Sequence, residues 1–314
     1  MLSKKFWQLL VGGIVLTLVL DAVAAQTPAG KAAAMVNGEA IPLAELQAVL
    51  NSRPPSPVVL KADQKREMEK AALDMLIEDA LMRQFLKKTV PAAGPADINK
   101  ELTDLVTALK KQNKSLADFL KEGGQTEEQL KGDISARLMW KAYLMQKLPD
   151  ATVKTYYDAN KVFFDKVMVK ASHILVKVKA GATAAEKQAA LAKIQAVRQE
   201  IVGGKIKFED AAQKYSDCPS KSKGGDIGYF PYKFVVVPPF AQAAFSTPKD
   251  QISNVVSTDF GLHIIKVTDR TKEEPSDFQK IKDAVREVYA QDLDLYQTVL
   301  TEQRKNAKIE ILLK

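Results

Sequence analysis

Cysteine and histidine are the scarce residues of this 314-residue chain: one Cys, at 218, and two His, at 173 and 263. A single thiol excludes an intramolecular disulfide and any zinc site built from cysteines alone. Two imidazoles without an H-E-x-x-H or a paired C-x-x-C give a metal centre nothing to stand on. Gly (15) and Pro (14) are too few for a collagen-like or low-complexity chain. A block of consecutive basic residues is also lacking. Lys+Arg 46 against Asp+Glu 38 gives +8, spread along the length and without a nucleic-acid-binding motif. The expectation is no nucleic acid, but a mildly basic surface open to acidic partners or to transient contact with a membrane surface. What is present is 46% apolar and 27% charged residues, enough for roughly two globular domains.

Long apolar runs are nearly absent, and the one that exists lies at the N-terminus. Lys4 and Lys5 precede Phe6 to Leu20, and Ala22-Val23-Ala24-Ala25 supplies the small residues a signal peptidase cuts after. This 15-residue stretch, broken only by Gln8 and by tolerant Gly and Thr, is short for a membrane span of about 20. The segment 1–25 is therefore expected to be a cleaved signal peptide, with export most simply to a periplasm and a mature start near Gln26. The alternative is an uncleaved N-terminal anchor. No Cys stands near the cut, which excludes lipid attachment there.

Three blocks follow. Asn37-Gly38 between apolar residues reads as a hairpin turn, and Pro54 to Pro57 as a loop. Helical spacing marks 67–86, 98–111, 115–122 and 127–147, with Pro91 to Pro95 and Gly123-Gly124 as breaks. A connecting helix covers 153–160. The pattern then changes to alternation over 167–178, a helix over 184–202 ended by Gly203-Gly204, a second helix over 208–215, and a turn-rich Gly224 to Gly228. A short helix at 239–245 and strands at 252–256 and 261–267 complete the middle block. A long helix over 276–305 and a strand over 308–313 end the chain. The hairpin is too small to stand alone. The last strand is expected to return and pair with it, leaving the middle block inserted in a discontinuous helical domain.

The middle block carries five ordered motifs: Val169 to Val176 with His173, Tyr215-Ser216-Asp217-Cys218-Pro219-Ser220, Gly224-Gly225-Asp226-Ile227-Gly228, Pro239-Phe240 with Ala244-Phe245, and Phe260-Gly261-Leu262-His263-Ile264-Ile265. Together they resemble a parvulin-type peptidyl-prolyl cis/trans isomerase domain. The flanking blocks are similar to the chaperone segments of exported SurA- and PrsA-type foldases. The resemblance implies an α+β fold, a small antiparallel sheet wrapped by helices, inserted in a mainly helical chaperone domain. The implied division is 26–149 chaperone, 150–166 connector, 167–271 isomerase and 272–314 returning segment.

Residue by residue, the resemblance assigns His173 and His263 to the paired core histidines beneath the site, and Cys218 to the polar position beside the bound amide. Ile227, Val236 and Phe240 fall on the walls of the proline pocket, and Ser216 and Thr258 on hydroxyl positions around the histidines. Val236 stands where Met is usual, and the loop 231–237 is one residue longer. The Arg pair that reads phosphorylated substrates is missing from 179–187, so unphosphorylated clients are expected. The implied partners are unfolded or partly folded exported proteins with Xaa-Pro bonds; oligomeric state is left open.

The chemistry asked of such residues is modest. Amide rotation has a barrier of ~18–20 kcal/mol because resonance stiffens the C–N bond. A catalyst need only favour the twisted amide over both planar forms. Apolar walls can hold the prolyl ring while Cys218 and the histidines favour the less conjugated amide, with no cofactor, metal or covalent intermediate. A Cys-His nucleophile is disfavoured because no orienting or oxyanion motif accompanies the pair. A non-catalytic holdase that uses the same fold to bind extended chains is the rival reading.

Overall fold

The computed structural model describes residues 31–51, 61–123 and 125–313. The expected signal segment, the start near Gln26, the loop Pro54 to Pro57, and Gly124 lie outside them. The chain divides into two compact units, one of residues 1–153 with 282–314 and one of residues 154–281.

In the first unit, β1 (Ala32–Val36) and β2 (Glu39–Pro42) form an antiparallel hairpin. Asn37 (φ 53°) and Gly38 (φ 86°) occupy its turn, the positive-φ pair that matches the twist of a two-residue hairpin. β7 (Ile309–Ile311) pairs antiparallel with β1, giving sheet order β2-β1-β7. Around it lie α1 (Leu43–Asn51), α2 (Ala62–Thr89), α3 (Pro95–Lys110), α4 (Leu116–Gly123) and α5 (Glu127–Lys147). α2 turns Leu73, Leu76, Ile77, Ala80 and Leu81 inward at helical spacing. α5 starts in a capping box: Thr126 Oγ1 accepts from the Gln129 N–H, and Gln129 Oε1 accepts from the Thr126 N–H.

The expected single helix over 276–305 is two helices, α11 (Phe278–Asp292) and α12 (Leu295–Asn306). Asp294 breaks it by adopting φ 48°, a left-handed conformation that Asp tolerates better than most residues. Arg304 then ties α12 to α2, at 2.8 Å from Asp74 and 3.1 Å from Glu78. Arg286 of α11, 2% exposed, donates to the Leu148 carbonyl and pairs with Asp150 and Asp283. One residue runs against this pattern. Asp79 on α2 is buried, and its Oδ2 has no hydrogen-bond partner. Burial, and next the Glu45 carboxylate, push its pKa up to about 8 despite Arg83, with Asp133 and Glu78 adding to the rise.

The second unit begins within α6 (Asp150–Ala159) and continues through α7 (Lys161–Phe164). Its sheet has order β4-β3-β6-β5, antiparallel throughout: β3 (Met168–Lys177), β4 (Asp226–Pro231), β5 (Val256–Thr258) and β6 (Gly261–Arg270). α8 (Ala184–Val202) and α9 (Phe208–Tyr215) bury Ile174, Val176 and Ile264 on one face. α10 (Pro238–Ser246) packs on the opposite residues Val169, Ala171, Ile265 and Val267. Asp165, 1% exposed, accepts from the Ser276 N–H (2.8 Å) and hydroxyl (2.7 Å), closing the base of this unit.

Two sequence expectations are corrected here. The strand expected at 252–256 is reduced to a single bridge, Ile252 to Lys266, and the paired strand begins at Val256. Ser253 is the cause: its hydroxyl, not its carbonyl, accepts the Ile265 N–H at 3.0 Å. Conversely, Asp226 to Gly228, expected as turn, starts a strand. Asp226 Oδ1 takes the Gly228 N–H at 2.8 Å, Gly228 has φ 74°, and the pairing slips between Lys170 and Ser172.

Candidate active site

Across the β3/β6 ladder Leu175 opposes His263 and His173 opposes Ile265, so the two histidines are diagonal neighbours on one face. Their rings stack at 5.5 Å and 16°, with Nδ1 to Nδ1 at 3.3 Å. Phe240 of α10 meets both rings edge-on, at 5.4 Å each. Burial lowers the His173 pKa; burial and then the neighbouring His173 take His263 down to about 4. Both are therefore neutral at pH 7, and a 3.3 Å contact between two Nδ1 atoms requires one proton between them.

That single proton couples the tautomers. Thr258 Oγ1 lies 2.8 Å from His263 Nε2 and accepts the Phe260 N–H at 3.1 Å. If Thr258 donates to His263 Nε2, then His263 Nδ1–H donates to His173 Nδ1, and His173 carries its proton on Nε2. The reverse arrangement leaves His173 Nε2 as an acceptor.

Ser216 and Cys218 follow α9 beside β3, past the point where its pairing with β4 ends at Ser172. Asp217 N–H donates to the Leu175 carbonyl (2.8 Å), and Ser216 Oγ accepts from Leu175 N–H (3.1 Å) and Cys218 N–H (3.2 Å). Among the described hydrogen bonds, Ser216 therefore serves this backbone edge and reaches neither imidazole, unlike Thr258. Cys218 is partly exposed and free. Ile227 on β4 and Val236 after it are half-buried against the cluster of Phe240, Phe230, Ala171 and Ile265. The structure thus brings the histidines, Thr258 and Phe240 into direct contact. Ile227 and Val236 join through the shared apolar cluster.

Two contributors escape a reading by residue type. Phe230, 1% exposed, packs 6.0 Å from Phe240 and backs the apolar wall. Gly225 has φ 84°, and a Cβ there would lie 2.5 Å from the His173 carbonyl oxygen, whose residue's N–H donates to Gly225 O at 3.0 Å. The doubled glycine signals a turn; only the fold reveals that its second member seats a histidine strand.

A family model described as PPIC-type PPIASE domain matches residues 173–269, and one described as SurA-like N-terminal domain matches residues 2–144. The Bacillus cereus "Foldase protein PrsA 2" is 30% identical over 242 residues, covering 76% of this chain and 74% of that protein. "Foldase protein PrsA 1" of the same species is 35% identical over 191 residues, 60% of this chain; the chain spans only 59% of that relative. "Peptidyl-prolyl cis-trans isomerase Pin1" of Malus domestica is 37% identical over 113 residues, 32% of this chain and 93% of that protein.

Proposed function

The chain belongs to the PrsA foldases and carries a PPIC-type isomerase domain, and from that premise we propose that it is a peptidyl-prolyl cis/trans isomerase and chaperone acting on unfolded or partly folded exported proteins. The observation that carries the reading is the neutral histidine pair capped edge-on by Phe240. An uncharged, buried floor beneath an apolar wall favours a prolyl amide that has lost its conjugation, because a planar amide carries the larger dipole and loses more on leaving water. Ile227, Val236 and Phe240 hold the prolyl ring. His173, Cys218 and His263 set the polarity beside the amide, with Thr258 holding the His263 ring through Nε2 and Ser216 fixing the Cys218 backbone.

The division proposed is that read from the sequence, 26–149 with 272–314 for client holding, 150–166 as connector and 167–271 as isomerase, with its boundaries moved to those of the two compact units, so that 154–166 and 272–281 go with the isomerase. Segment 1–25 is a signal peptide and the compartment a periplasm. The support is the sequence pattern alone: Lys4 and Lys5 ahead of the apolar run Phe6 to Leu20, then Ala22-Val23-Ala24-Ala25.

A protease-coupled assay on a short unphosphorylated Ala-Pro peptide tests the activity. The expected result is acceleration over the thermal rate, abolished by Phe240→Ala, while suppression of client aggregation survives that change. A full-length wild-type protein that suppresses aggregation without accelerating the peptide would leave the non-catalytic holdase as the function.

A further inference from the structure

The loop between β4 and α10 carries Val236, and four of its residues, Tyr232, Lys233, Phe234 and Val236, are each held by a different partner, while Val235 is exposed. Tyr232 meets Phe245 of α10 edge-on at 5.1 Å. The Lys233 ammonium lies 5.3 Å from the centre of the Tyr156 ring. Phe234 meets Phe163 edge-on at 5.7 Å and 82°. Val236 closes the series by packing on the cluster around Phe240. Phe234 does this at φ 70°, a left-handed conformation that a bulky aromatic residue adopts only when its surroundings impose it. Phe163 supplies that constraint, being 1% exposed and locked against Phe164 at 5.1 Å.

Tyr156 and Phe163 stand on α6 and α7, before residue 173 where the match to the isomerase domain begins. We infer that Phe163 is a positioning residue for the isomerase reaction: through Phe234 it fixes the Pro231–Val237 loop and so the Val236 wall of the proline pocket. The connector is thereby part of the site. The inference rests on the isomerase reading and extends it to Phe163, which is 1% exposed and out of reach of substrate. A wall set wrongly by about 1 Å weakens the grip on the prolyl ring in the planar and twisted amide alike, which appears as a raised KM with little change in kcat.

The test uses the full chain and a short peptide with one Ala-Pro bond, followed by exchange NMR for turnover and by peptide titration for affinity. Phe234→Ala and Phe163→Leu are each expected to raise KM on the order of tenfold, with kcat held within about twofold. Phe234→Tyr, which keeps the ring contact and places its hydroxyl in solvent, restores KM. The double variant is expected to be no worse than Phe163→Leu alone, because both changes break one contact. Unchanged KM in both single variants overturns the inference. Additive losses overturn it too, since Phe234 would then meet the client directly. If the wild type binds the peptide without turning it over, the isomerase reading fails while the titrations still decide whether Phe163 sets the pocket.

Discussion

Asp79 offers the sharpest energetic test in the molecule. A carboxyl whose pKa rises from 3.8 in the unfolded chain to about 8 in the fold must take up a proton to fold at neutral pH. A raised acid pKa contributes its full stability below pH 3.8 and loses it as pH climbs through 8. At pH 7 the loss amounts to about 4 kcal/mol, at about 1.4 kcal/mol for each pH unit above 3.8. Asp79→Asn keeps the shape and removes the titration. The stability difference between variant and wild type is therefore expected to be near zero at pH 4, to grow by about 1.4 kcal/mol per pH unit in favour of Asn, and to level off near pH 8. Urea unfolding of both proteins between pH 4 and 9 measures this, and taking the difference cancels every other carboxylate. A difference that stays flat with pH would refute the reasoning, and so would an Asn variant less stable than wild type at pH 7.

The histidines predict the opposite sign for the second unit. His263, held down to about 4 from 6.5, contributes stability that is whole above pH 6.5 and disappears as pH falls toward 4, costing about 2 kcal/mol between pH 7 and 5. His173 acts in the same direction. Calorimetry should then show one transition rising and one falling on mild acidification; parallel movement of both would count against the buried neutral pair. Gly261→Ala places a Cβ 2.3 Å from the Val176 carbonyl oxygen and 2.8 Å from the Val178 nitrogen, at φ 132°. We expect a loss of about 3 kcal/mol confined to the second unit, checked by its thermal midpoint, and an unaltered midpoint would mean that the β3 edge yields freely.

What the sequence disclosed, and what it hid, divides along physical lines. Helix spacing and caps are local, so 184–202 and 208–215 are legible to the residue, and Thr126 with Gln129 announces α5. The contact of the two histidines with Phe240 is legible because five motifs stand in order, whereas no contact among the described residues joins Cys218 to that group. Strand β4 is hidden because its alternation is replaced by an Asx turn and a left-handed glycine, which read as loop. The break at Asp294 is hidden because helical periodicity continues on both sides of it. Ser216 shows that a hydroxyl's place in a motif does not fix its partner: its oxygen is consumed by two backbone N–H groups. The support from Phe163 is invisible for another reason. An aromatic contact across about 70 residues leaves no local trace.

The pairing of β7 with β1 has a kinetic meaning. Asn37 and Lys308 exchange hydrogen bonds across a sequence separation of 271 residues. Long-range pairing of that kind is slow, since the closure entropy comes due before the contacts form. On a chain emerging N-terminus first, the hairpin holding Ala34 must wait with its β7-facing edge open until nearly everything else has been made. The second unit, contiguous from 154 to 281, meets no such delay. On the proposed function, a nascent chain would thus complete its isomerase unit before its client-holding unit.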